Sequence, residues 1–113
     1  MTELPAAVRA AGWRVLVLDL AGVEDRAGLM ERCVRDLEPE DWFGRNWDAL
    51  LDMLADLPAA SPNGVLLVVT HWTGYAQARP EEWRIAQEVF ADAVERGQAH
   101  DGPPLEIVLD FRR

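Results

Sequence analysis

The chain has no lysine, and its 113 residues include one cysteine, one tyrosine, one serine and two histidines. Each scarcity removes a class of chemistry. Cys33 has no partner for an intramolecular disulfide or for a zinc site of the Cys-pair type. His71 and His100 lie far apart in loop-like sequence, with no Cys or His at metal-ligand spacing. Ser61 stands in a proline-rich loop without the context of a nucleophile elbow. No glycine-rich phosphate loop and no EF-hand loop is present. Catalytic residues, metals and cofactors are therefore not expected.

Positive charge is also short. Eleven basic residues face 20 acidic ones, a formal net charge of −9. Such a surface repels nucleic acids and anionic membranes and attracts a cationic partner. Long apolar runs are missing too: Val15 to Leu18 and Val65 to Val69 are far too short to cross a bilayer. The Met1-Thr2-Glu3-Leu4-Pro5 terminus lacks a basic stretch followed by an apolar one, the mark of a secretory signal. The expectation is a soluble, cytoplasmic protein of a reducing compartment. Arginine as the sole basic residue, with abundant alanine, points to GC-rich bacterial coding.

What the chain does have is apolar mass. Half of it is hydrophobic, with five tryptophans, too much for a disordered chain and enough for one core. A single domain over 1–113 is expected, its core about 13–110. Trp13 to Leu20 holds a continuous apolar run, as in a strand covered on both faces. Asp25 to Leu37 follows, with Leu29, Met30, Cys33, Val34 and Leu37 at helical spacing, Asp25 as cap and Pro39 just past the end. The stripe places Cys33 in the core. After an acidic, aromatic loop comes a helix from about Asn46 to Leu57, then a turn-rich stretch from Pro58 to Gly64. Val65 to Val69 is the best central strand. His71 to Arg79 reads as irregular. Pro80 opens a helix whose stripe of Trp83, Ala86, Phe90, Ala93 and Val94 runs to Gly97 as C-cap. Leu105 to Asp110 alternates like an outer strand. The order β-α-α-β-α-β predicts an α/β fold with a three-stranded parallel sheet.

The segment from Asp41 to Asp56 carries the functional signal. On a helix, Trp47, Leu50, Leu51 and Leu54 share a face, and Asp48, Asp52 and Asp56, four apart, line the opposite one. Like charges at that spacing cost an isolated helix roughly 0.2–0.5 kcal/mol per pair. The amino-terminal dipole offsets this at Asp48 but fades by Asp52. A plain solvated face is one reading of the triplet. The preceding loop favours another: Trp42 and Phe43 do not both pack inward easily beside Trp47, and a large aromatic beside charge is a frequent interface anchor. Gly44 suits a turn with φ > 0 or a close approach by another backbone.

Phe43-Gly44-Arg45-Asn46-Trp47-Asp48-Ala49-Leu50-Leu51-Asp52 resembles the signature of the barstar family, intracellular inhibitors of guanyl-specific microbial ribonucleases. The glycine, the asparagine, both aspartates and the apolar positions between them agree in register, and the wider layout agrees from Trp13 to Asp110. The resemblance implies a two-layer α/β domain with sheet order 1-2-3. It implies a ribonuclease-binding surface of Trp42, Phe43, Gly44, Asn46, Asp48, Asp52 and Asp92. Asp52 would be the main phosphate mimic, Asp48 its support, and Trp42 would stand where the family usually has a tyrosine. Gly44 and Asn46 would shape the loop. Asp92 stands where the best-known member has a glutamate, and Arg96 departs from the pattern by replacing another acid.

The implied partner is an extracellular-type guanyl-specific ribonuclease, barnase-like or Streptomyces-type, bound 1:1. An immunity protein of the same fold against another toxin, and a regulatory module for a basic protein, remain as alternatives. An enzyme using Asp48, Asp52 and Asp92 as paired carboxylates would need a sugar-sized cleft, hard to build on three strands. Asp92 and Arg96, four apart in acid-then-base order, are expected to pair along their own helix.

Overall fold

A computed structural model describes residues 8–39, 43–98 and 102–110. In chain order these form β1 (Arg14–Asp19), α1 (Arg26–Leu37), α2 (Trp47–Asp56), a 3-10 turn (Leu57–Ala60), β2 (Val65–Thr70), α3 (Thr73–Ala78), α4 (Pro80–Gln98) and β3 (Leu105–Leu109). The sheet is parallel throughout, in the order β1-β2-β3.

The register explains the layering. Leu16, Leu67 and Ile107 lie side by side, as do Leu18, Val69 and Leu109. All six belong to, or pack against, one core cluster. Strand side chains alternate between faces, so these rows share one side of the sheet. Onto that side come Leu29, Met30, Cys33 and Leu37 of α1, Leu50, Met53 and Leu54 of α2, and Trp83, Ala86, Val89, Phe90 and Ala93 of α4. The arrangement is a two-layer α/β fold, with α1 against β1, α4 against β3 and α2 against α4.

β2 is buried from Val65 to Val69, including Leu66 and Val68 on the far face. β1 differs from its expected double cover: Val17, on the far face at the sheet edge, is 46% exposed. An unbroken apolar run therefore does not distinguish a strand buried on both faces from an edge strand with one open side.

Caps hold the helices where local chemistry places them. Asp25 Oδ1 accepts the Gly28 N–H at 2.8 Å, and Glu38, left-handed at φ 48°, closes α1 by donating its N–H to the Val34 carbonyl. Gly64 opens β2 at φ 127°, and a Cβ there would stand 3.0 Å from the Pro104 carbonyl oxygen and 3.1 Å from the Trp13 ring. Its own carbonyl accepts the Arg14 N–H, while the Val65 N–H donates to Pro104. Three chain segments thus meet where only hydrogen fits.

The stretch expected to be irregular contains α3. It has six residues, no side-chain cap and a glycine at its second position, so no periodicity advertised it. It is held by Tyr75, fully buried with its ring edge-on to Trp83, while Trp72 just before it stacks on Trp83 at 5.2 Å. α4 runs one residue past the expected cap at Gly97, to Gln98. His100 lies outside the described residues.

At the carboxyl ends of the strands, Asp19 gathers contacts. Its carboxylate accepts the Ala21 N–H at 3.0 Å and lies 2.9 Å from His71 Nδ1. The Asp36 carboxylate accepts the Asp19 N–H at 2.8 Å and is bridged by Arg35. The Ala21 N–H does most to hold the Asp19 carboxyl below its ordinary value; burial opposes it, and His71 and Thr70 add to the lowering. Burial pushes Asp36 up, but Arg35 and the Asp19 N–H outweigh it, and its carboxyl also ends low.

Two measurements check this frame. Gly64→Ala should lower the urea midpoint, because the new methyl group meets the Pro104 carbonyl oxygen and the Pro104 and Trp13 rings at a φ that side-chain-bearing residues rarely adopt. The stability due to the depressed Asp19 and Asp36 carboxyls is present above the ordinary aspartate value of 3.8 and is lost as pH falls through their lower folded values. Urea midpoints at about pH 7 and about pH 3 should therefore converge for Asp19→Asn relative to the parent.

Candidate acidic interface

The acidic face follows from how α2 begins and what it buries. Asn46 is extended at φ −136°, and its Oδ1 accepts the Ala49 N–H at 2.7 Å while its carbonyl takes the Leu50 N–H. This cap fixes the rotation of the first turn. Leu50 and Leu54 are fully buried and Met53 nearly so, with Trp47 and Leu51 packed against the same core. A helix so anchored must turn its remaining face outward. Asp48, Asp52 and Asp56 are all exposed along that face, as the four-residue spacing predicts.

Between Phe43 and Asn46 the chain before α2 is held at two points, Phe43 in the core and Arg45 on α1. Phe43 is buried at 7% exposure and belongs to the core cluster. Trp42 lies outside the described residues. The residue with positive φ is Arg45, at 52°, not Gly44. Among the described residues no other backbone approaches Gly44 closely either; the nearest neighbour of a Cβ there would be the Asn46 side chain, with Nδ2 at 3.1 Å. Arg45 Nε donates to Glu31 Oε2 at 2.9 Å, linking the loop to α1.

Asp92 is exposed on α4, the helix that packs against α2. The expected pairing of Arg96 with Asp92 does not occur. Arg96 Nη1 donates instead to Asp52 Oδ1 at 2.7 Å, bridging α4 to α2. The partners are 44 residues apart in sequence, and only helix packing brings them together. The geometric reason is that spacing along α4 offers Arg96 one carboxylate, while the neighbouring helix presents a row of them. Another long-range pair, Arg45 with Glu31, was likewise invisible to local spacing.

Among the described residues no group of three or more His, Cys, Asp or Glu side chains is arranged to hold a metal ion. Nor is any helix among them long and apolar enough to cross a membrane. Cys33 is fully buried, and burial pushes its thiol up to about 12, in keeping with the packing role expected for it.

The geometry defines a small parallel α/β domain that displays carboxylates on a helix locked into its core. A family model, Barstar (barnase inhibitor), matches residues 13–110, and the chain belongs to this family. Membership implies a barnase-type ribonuclease inhibitor or a related immunity protein. A comparison with curated proteins found no match.

The cap can be tested on its own. Asn46→Ala should cost about 0.5–2 kcal/mol of stability, seen as a lower urea midpoint. Asn46→Asp should restore most of it, since a carboxylate also accepts the Ala49 N–H.

Proposed function

We propose that the protein is a stoichiometric inhibitor of a secreted guanyl-specific microbial ribonuclease, acting in the cytoplasm and without enzymatic activity of its own. The supporting observation is the exposed row of carboxylates on α2, whose opposite face is fixed in the core. A ribonuclease cleft is cationic because it binds RNA phosphates. A rigid anionic helix competes for the same groups and excludes substrate by charge and by bulk. Asp52 takes the place of a phosphate and Asp48 supports it through charge-assisted hydrogen bonds to enzyme arginines. Asp92 contributes from α4. Gly44 and Asn46 bring the loop backbone to the surface, and Trp42 supplies the aromatic contact. Phe43 serves the same surface from below, as the buried anchor of the loop. No cofactor or turnover is required, and one inhibitor blocks one enzyme.

The decisive experiment is titration of the protein into a guanyl-specific ribonuclease assay, with an equivalence point at one to one. Asp52→Ala should weaken inhibition by about 2–5 kcal/mol, as expected for truncating one partner of a buried charge pair, while Asp56→Ala costs much less. Stability should change little, since the exposed pair with Arg96 contributes at most about 1 kcal/mol. Equal small effects at both positions would return the triplet to a solvated face. Absence of inhibition across several such ribonucleases would favour an immunity protein against another toxin.

Kinetics give a second check. With a net charge of −9 facing a cationic cleft, the association rate should fall steeply as salt rises, and the dissociation rate should move less. Stopped-flow traces with a salt-independent association rate would remove steering from the mechanism.

A further inference from the structure

The carboxylate given the leading role above is already occupied. Arg96 Nη1 lies 2.7 Å from Asp52 Oδ1, with both side chains about half exposed, 46% for Arg96 and 58% for Asp52. The nearby charges along the two helices are acidic: Asp48 and Asp56 lie one turn to either side of Asp52 on α2, and Asp92 and Glu95 precede Arg96 on α4. A pair this exposed contributes little to folding and can open at low cost. Docking changes its environment, because a partner that covers the face removes water from both charges.

Building on the inhibitor reading, we propose that Arg96 is the specificity-determining residue of the acidic face. It is a built-in counter-ion that a partner's cation must displace from Asp52. Two consequences follow from the charges alone. A cleft whose rim carries only basic groups meets Asp52 already neutralised and pushes a desolvated guanidinium against its own positive charges. A cleft that offers a carboxylate beside its cations takes up the displaced guanidinium while its own cation takes Asp52, and both pairs are satisfied. Arg96 thus turns a generally acidic surface into one that rejects the first kind of cleft and accepts the second. The matched partner is a basic protein with an acidic group at the edge of its cationic site.

The test uses a guanyl-specific microbial ribonuclease whose active-site rim carries basic side chains only. Inhibition constants are measured for the parent, Arg96→Gln, Asp52→Asn and the double variant, with thermal melts to confirm that each is folded. Arg96→Gln should tighten inhibition about tenfold where Asp52 is present, and by about twofold or less in the Asp52→Asn background. Arg96→Lys, which keeps the charge, should stay close to the parent. Equal tightening in both backgrounds would show a bulk effect of net charge and overturn the proposal, as would no change or weaker inhibition by Arg96→Gln. The two readings fail differently. If Asp52→Asn weakens inhibition and Arg96→Gln does nothing, the inhibitor stands and the role of Arg96 falls. If neither the parent nor Arg96→Gln inhibits any ribonuclease, both fall.

Discussion

The burial of β2 on both faces is the constraint on which the rest depends. A parallel strand between two others cannot be reached by short hairpins, so each neighbour is joined to it by a helical crossover. Here the crossovers place α1, α2 and α4 on a single side of the sheet, where they share the cluster built round Leu18, Leu67 and Val69. The position of α2 is therefore inherited from β2. Its buried leucines can satisfy the core in one rotation only, and that rotation points Asp48, Asp52 and Asp56 at solvent. The acidic face is a by-product of packing as much as of charge.

Much of this was legible along the chain because it is periodic. Strand runs, helical stripes, the Asp25 cap and the four-residue aspartate spacing are local patterns, and each appears where the pattern put it. α3 escaped because six residues without a cap carry no period. Its stability comes from Trp72, Tyr75 and Trp83 meeting across two helices. The exposure of Val17 escaped for a related reason: apolar composition reports the tendency to be buried, not which neighbours are available at a sheet edge.

The site divides along the same line. Its carboxylates were readable from spacing, and the loop signature from the register of glycine, asparagine and aspartates. The cation that modifies them was not. Arg96 was placed with Asp92 by intrahelical geometry, and the packing of α4 on α2 gives it Asp52 instead. The left-handed backbone at Arg45 is a similar case. Gly44 was the natural candidate for it, but Arg45 takes that conformation between the buried Phe43 and the Asn46 cap, its exposed side chain pairing with Glu31. Such a residue in the left-handed region persists when its surroundings determine it.

Cys33 has a consequence beyond packing. It is the chain's single thiol, fully buried on α1 and protonated well past neutral pH. Disulfide exchange and peroxide chemistry both begin with an accessible thiolate, and the native fold offers none. Folded copies therefore have no covalent route to one another, and oxidants find no sulfur to attack at this position while the fold is intact. Exposure of this sulfur would report unfolding: its reaction with a thiol reagent is a clock for the opening of the core.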